Sequence, residues 1–137
     1  MKKALKISAL AVVTVMLCLT LASCGGPNSD PDKALESLKD NGITWAVKDP
    51  TVTPNVLKAL GVDGVECTVS GTGKIDGNFA HITIIYFENS DDAKDAMEKV
   101  EDLSAEDKGE AKDSDWVFKK SGKMIYYGTK DAIKAAK

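Results

Sequence analysis

The 137-residue sequence contains no arginine, although it has 18 lysines. Arginine is the usual bidentate partner of phosphate and of guanine, so its absence argues against nucleic-acid recognition. The 21 acidic residues outnumber the lysines, and a net negative protein is repelled by a phosphate backbone. We therefore expect no nucleic-acid partner.

Histidine and cysteine are scarce as well. His81 is the only histidine, and the three cysteines are Cys18, Cys24 and Cys67. No cysteine cluster with zinc spacing is present, and the acidic stretch 104–115 lacks the spaced ligands and the glycine of a calcium loop. We expect no metal and no cofactor.

The N-terminus is organised around an apolar run. Residues 1–6 carry three lysines, and an apolar stretch extends from Ile7 to Leu21. This stretch is shorter than the roughly 20 apolar residues of a spanning helix and has the length of a signal-peptide core. Small residues and Cys24 follow it, in the order Leu21-Ala22-Ser23-Cys24.

This segment resembles the lipobox signal peptide of bacterial lipoproteins. The resemblance implies cleavage before Cys24 and lipidation of its thiol, so that 1–23 is the signal peptide, 24–29 a lipidated tether and 30–137 a single domain. Several acyl chains anchor a protein far more firmly than one. The expected location is the extracytoplasmic face of a bacterial cell membrane. The alternative is an ordinary secretory peptide that is followed by a cysteine by chance.

Removal of residues 1–23 would leave 15 lysines against 21 acidic residues, a net charge of −6. This charge disfavours attraction to an anionic membrane surface beyond the anchor. Cys67 would then be the only free thiol, and no intramolecular disulfide could form.

The first part of the domain predicts helix, strand and helix. Asp30-Pro31 is a good helix start, and Asn41-Gly42 a good end. Residues 43–48 are rich in β-formers, and Asp49-Pro50 ends them. Thr53-Pro54 predicts the start of a second helix, which ends at Gly61.

The strongest signal is a β-hairpin. Residues 65–70 alternate, 78–87 are β-branched and aromatic, and Asp76-Gly77 lies between them as a two-residue turn. This turn pairs Cys67 with Tyr86 and Thr72 with His81. The predicted core side is Val65, Cys67, Val69, Ala80, Ile82, Ile84 and Tyr86. The glycines of 70–74 predict a bulge or a strong twist.

A second, similar unit follows a helix that begins at Asn89-Ser90 and carries apolar residues at helical spacing. Residues 104–115 predict a charged linker, whose start extends the helix before Gly109. A hairpin turning at Ser121-Gly122 then pairs Phe118 with Ile125 and Trp116 with Tyr127. A short helix, 130–136, ends the chain.

These elements predict an α+β fold. We expect a four- to five-stranded antiparallel sheet made of two ββα units with their helices on one face, preceded by the helix–strand–helix segment. The fifth strand, 43–48, would lie at an edge.

The predicted outward face of this sheet is unusually apolar, as expected of a binding site. The candidate binding residues are Phe79, His81, Ile85, Phe87, Met124 and Tyr126, with Val117 beside them. The alternative is that residues 30–62 cover this face and complete a second core layer.

No catalytic residues can be identified. Cys67 and His81 would need hydrogen-bond contact to act as a nucleophile and base, yet the alternation places them on opposite faces. We therefore expect a non-enzymatic, membrane-anchored module that binds an envelope protein or a small ligand. The alternatives are an accessory subunit of an envelope assembly, or a small surface hydrolase whose carboxylates converge with His81.

Overall fold

A computed structural model describes residues 26–137. The predicted signal peptide and the predicted lipidation of Cys24 fall outside these residues. The described chain forms a five-stranded antiparallel sheet with four α-helices, which confirms the α+β prediction.

The helices are α1 (Pro31–Asp40), α2 (Val52–Ala59), α3 (Ser90–Lys108) and α4 (Lys130–Ala135). The strands are β1 (Trp45–Asp49), β2 (Val65–Ile75), β3 (Asn78–Phe87), β4 (Trp116–Ser121) and β5 (Met124–Thr129), with a 3-10 turn at Asp113–Asp115. The strand order is β1-β2-β3-β5-β4, so β1 is an edge strand, as predicted.

Helix α1 begins as the sequence predicts. The Asp30 carboxylate accepts hydrogen bonds from the backbone N–H groups of Asp32 and Lys33, which have no partner within the helix. Ala34 and Leu38 lie one turn apart and are fully buried. The helix therefore has a satisfied start and a narrow apolar stripe that faces the sheet.

Helix α2 begins earlier than predicted, at Val52. The Asp49 carboxylate accepts hydrogen bonds of 2.9 Å from the N–H groups of Thr51, Val52 and Thr53. Asp49 thus caps the helix, where the sequence pattern indicated only a strand breaker.

The first hairpin has the predicted register. Asp76 and Gly77 have φ values of 52° and 80°, as a type I′ turn requires, and Cys67 pairs with Tyr86. The placement of Val65 on the core side is wrong, because a bulge between Val65 and Cys67 turns Val65 to the other face. Gly71 lies in a regular part of the ladder. A β-carbon at Gly71 would come within 2.8 Å of Ile43 Cγ2, so this glycine gives room to the segment before β1.

The second hairpin is shifted by two residues from its prediction. Ser121 pairs with Met124 and Phe118 with Tyr127, so Gly122 and Lys123 form the turn. Gly122 has φ 60° and occupies the first turn position, as in type II′ turns, whereas the prediction placed it second. A shift of two residues changes the partners but keeps each side chain on its face.

The sheet has a hydrophobic core on each face. One core lies under α1 and α4 and includes Cys67, Ile84 and Tyr126. The other lies under α2 and α3 and includes Ile85, Phe87 and Tyr127. We call these sides the α1–α4 face and the α2–α3 face.

The prediction that the helices of both ββα units share one face is therefore wrong. Strands β3 and β5 carry large apolar side chains at consecutive positions, such as Ile84 with Ile85 and Tyr126 with Tyr127, and all four are buried. Strands of this kind need a helix layer on both sides. The alternative that residues 30–62 cover one face is only partly right: α2 helps to bury Ile85 and Phe87 on one face, whereas α1 packs on the other.

Candidate binding face

The structure separates the six predicted binding residues. Phe79 and His81 lie on an uncovered part of the α2–α3 face, where Phe79 is 57% exposed. Ile85 and Phe87 lie on the same face but are buried beneath α2 and α3. Met124 and Tyr126 are buried on the opposite face, and Val117 packs against them partly buried. The prediction that all of these residues share one outward face is wrong.

The error arises at the junction of the two hairpins. Ile85 pairs with Ile125, and Ile84 pairs with Tyr126. Directly paired residues of neighbouring strands point to the same side of a sheet. Apart from Val65, each hairpin alternates as predicted. The prediction was wrong about how the two hairpins join, because it placed opposite faces of them on the same side of the sheet.

The part of the α2–α3 face that lies beside and beyond the helices presents the following side chains, which we call the open face. It consists of Trp45, Val47, Thr72, Phe79, His81 and Trp116. Trp45 is 81% exposed and Val47 is 58% exposed, although both are apolar. An exposed group of large apolar side chains is typical of an interaction site.

The strand register aligns the open face into a row. Trp45 pairs with Thr72, Thr72 with His81, and Thr129 with Trp116. The backbone N–H of His81 donates to Thr129 Oγ1 at 3.2 Å, which links the two halves of the row. The row crosses all five strands, about 19 Å at normal strand spacing, with a tryptophan on each edge strand.

His81 lies between two aromatic rings. Its ring is nearly parallel to those of Phe79 and Trp116, with centroid distances of 6.5 Å and 5.9 Å. Its Nε2 atom is 3.3 Å from Thr83 Oγ1. Desolvation lowers the pKa of His81 below 6.5, and the negative charge of Asp107 opposes that shift. The imidazole is therefore neutral at pH 7 and presents a flat, largely apolar ring.

Helix α3 fixes one end of this row. Trp116 Nε1 donates to Ser104 Oγ at 2.9 Å, and the Tyr127 hydroxyl donates to Asp107 Oδ2 at 2.5 Å. Burial is the main cause that raises the pKa of Tyr127, so its hydroxyl stays protonated as a donor. The open face thus combines rigid rings beside α3 with the exposed Trp45 on edge strand β1.

The described residues of the open face include few of the groups that catalysis requires. Cys67 is free and buried on the α1–α4 face, where burial raises the pKa of its thiol, so it cannot contact His81. Asp107 is the carboxylate whose charge acts on His81, and it is already bound to Tyr127. Within residues 26–137, no group of three or more His, Cys, Asp or Glu side chains is placed to hold a metal ion.

Sequence reasoning missed Trp45 and Trp116 as members of the open face. Trp116 was placed only in the second hairpin, opposite Tyr127, and Trp45 was placed only in a strand. One signal for Trp45 was available in the sequence. Its neighbour Ala46 is small, and so is Gly71, the residue that pairs with Ala46 on β2; both are buried. Small residues that pack inward leave the large neighbour Trp45 outward.

No protein-family model, curated protein or solved structure matches this chain. In the part of the chain that the structure describes, no helix is long and apolar enough to span a membrane.

Proposed function

We propose that this chain is an extracytoplasmic lipoprotein, anchored to a bacterial cell membrane through Cys24, whose open face binds another envelope protein. The observation that carries the binding role is the row from the exposed Trp45 through the half-buried His81 to the half-buried Trp116, with the exposed Val47 and Phe79 beside it. Tryptophan is among the residues that contribute most binding energy in protein interfaces.

The shape of the open face favours a protein over a small molecule. Small-molecule sites are concave and bury most of their ligand, whereas this surface is a sheet face. Five depressions on the described chain are lined by other residues, and none of them includes Trp45, Phe79 or His81. An aromatic sheet surface of this kind suits the complementary face of a protein.

Photo-crosslinking tests the binding role. A benzoylphenylalanine in place of Trp45, in the full-length chain expressed in a bacterium that carries its natural partners, should give a discrete protein adduct after irradiation. The matched control places the same residue at Lys39, which is exposed on α1 on the other side of the sheet. Equal adducts at both positions, or none at Trp45, would contradict the proposal.

The lipid anchor has its own test. Mass spectrometry of the N-terminal peptide should show a lipid-modified Cys24, and the protein should partition into a detergent phase. Cys24→Ala should abolish both properties and leave the precursor uncleaved. A secreted, unmodified chain that begins elsewhere would contradict the anchor and leave the open face unaffected.

The two alternatives differ in their requirements. An accessory subunit of an envelope assembly would use the same open face, and the adduct at Trp45 would identify the assembly. A surface hydrolase would need a second carboxylate beside His81, whereas the structure shows Asp107 held by Tyr127. We therefore propose a binding role and not an enzymatic one.

A further inference from the structure

The charges of this chain are strongly segregated along the sequence. Residues 26–118 contain nine lysines and 20 acidic residues, whereas 119–137 contain six lysines and a single acidic residue, Asp131. The net charge of −6 therefore conceals a basic segment made of the end of β4, the second turn, β5 and α4. The structure shows where the charges of this segment lie.

Four of these lysines surround one shallow depression on the α1–α4 face. Lys119, Lys130, Lys134 and Lys137 line it, and Tyr126 forms part of its wall. We call these four residues the lysine patch. Lys130, Lys134 and Lys137 have the spacing i, i+4 and i+7 and therefore lie on one side of α4 and its C-terminal end. Lys119 lies on β4 and pairs with Tyr126 of β5.

The side chains of the lysine patch form no ion pair with a carboxylate in the described part of the chain. The ion pairs within residues 26–137 are Lys48 with Asp32 and Lys108 with Asp113, and neither involves the patch. All four patch lysines are exposed. Asp131 and Asp76 line a neighbouring depression that shares Lys134 with the patch, and neither forms an ion pair with it. Like charges grouped in this way repel one another, and an external anion that binds among them offsets this repulsion.

The N-terminal segment of the described chain lies beside the patch. A β-carbon at Gly26 would come within 3.1 Å of the Tyr126 hydroxyl oxygen. The Asn28 N–H donates to the carbonyl of Ala136 at 2.8 Å, and the Tyr86 hydroxyl donates to the Asn28 carbonyl at 2.8 Å. Lys137 lines both the lysine depression and the one beside Gly26 and Asn28. The chain is therefore held next to the lysines.

Cys24 precedes Gly26 by two residues, which span about 7 Å at most. This distance is shorter than the 8–10 Å over which charges act through physiological salt. From these observations we infer that the lysine patch binds anionic lipid headgroups of the membrane that carries the Cys24 anchor. The inference rests on the proposed lipid anchor.

The net charge alone predicts repulsion from an anionic membrane surface, whereas the lysine patch predicts attraction to it. We expect local attraction to outweigh the repulsion due to net charge, because the patch lies beside the segment that leads to the anchor and electrostatic forces decay within the screening distance. Attraction through the patch also orients the domain. The α1–α4 face turns to the bilayer, and the open face, on the opposite side of the sheet, turns away from it.

Lysine footprinting on vesicles tests the inference with the lipidated full-length protein. The protein is reconstituted into vesicles of phosphatidylcholine alone or with phosphatidylglycerol, and an amine-acetylating reagent that does not cross membranes is added. In the anionic vesicles the patch lysines should react about fivefold more slowly than in neutral ones. High salt should remove this protection. Lys58 and Lys94, exposed on α2 and α3, serve as internal controls and should react equally in both.

The footprinting results distinguish failure of the lysine patch from failure of the lipid anchor. Equal rates at the patch in both vesicle types, with the protein still bound to the vesicles, would overturn the inference and leave the anchor intact. Failure of the chain to float with either vesicle would instead overturn the anchor. Protection by inorganic phosphate on neutral vesicles would show that the patch takes a free anion and not a lipid headgroup.

A pair of variants supplies a second readout. Lys130→Gln with Lys134→Gln should abolish the difference that phosphatidylglycerol makes to the reactivity of Lys119 and Lys137. The matched pair Lys58→Gln with Lys94→Gln removes the same charge from the α2–α3 side and should leave that difference unchanged. If the two pairs have equal effects, net charge and not the local patch controls the response to phosphatidylglycerol, and the inference is overturned.

Discussion

At the scale of single residues, the state of His81 is set by its surroundings. Stacking between Phe79 and Trp116 removes water from the imidazole, while Asp107 is near enough to attract a proton. The first effect is larger, so the pKa of His81 lies below 6.5. The sequence could not predict this balance, because it depends on α3 bringing Asp107 over β5.

Because His81 is the only histidine, its titration can be followed directly by NMR. We expect a pKa below 6.5, and Asp107→Asn should lower it further, since Asp107 raises it. The unfolded chain then binds the proton more readily, so stability is complete above about 6.5 and declines as the pH falls below that value. A pKa above 6.5, or an increase in Asp107→Asn, would contradict the described environment.

Gly128 shows how closely strands β3 and β5 approach. It has φ 150°, and a β-carbon there would overlap the His81 carbonyl oxygen and lie 2.8 Å from Ile82 Cα. Gly128→Ala should therefore cost about 2 kcal/mol or more of unfolding free energy, measured by urea denaturation. Gly73→Ala is the control: its β-carbon would meet only an ordinary contact at 3.6 Å, so a comparable loss in both variants would contradict this explanation.

At the scale of elements, local signals predicted α1 and the first hairpin well. A capped start at Asp30 and a two-residue turn at Asp76-Gly77 are decided by neighbouring residues alone. The second hairpin was misaligned because glycine suits either position of a two-residue turn. The placement of α3 and α4 on opposite faces depends on which strands become neighbours, and no local pattern contains that information.

The start of α2 depends more on Asp49 than on the N-cap residue Thr51, because the Thr51 side chain forms no capping hydrogen bond. Asp49→Ala should lower the melting temperature at pH 7, measured by circular dichroism, because three N–H groups lose their acceptor. These bonds lower the pKa of Asp49 from 3.8 to about 2. Its contribution is therefore present above 3.8 and lost as the pH falls through about 2, so wild type and variant should converge there.

The control for this experiment is Asp63→Ala, which removes the same charge from an exposed site between α2 and β2. It should leave the melting temperature nearly unchanged. A similar loss in both variants would show that net charge, and not the cap, determines the stability of this segment.

At the scale of the whole molecule, the two sides of the sheet have different surfaces. The α1–α4 face holds the N-terminal segment and the lysine patch, and the α2–α3 face holds the open face. The spacing of Lys130, Lys134 and Lys137 was readable in the sequence, but their proximity to Gly26 was not, because it depends on β5 and α4 packing against the N-terminal segment.

In the proposed arrangement, the membrane lies on one side of the sheet and the binding surface on the other. Both tryptophans belong to the open face, so intrinsic fluorescence reports on it directly. In anionic vesicles carrying the lipidated full-length protein, we expect aqueous acrylamide to quench this emission and brominated lipids to leave it nearly unchanged. Strong quenching by brominated lipids, with protection from acrylamide, would place the open face against the bilayer and contradict the account.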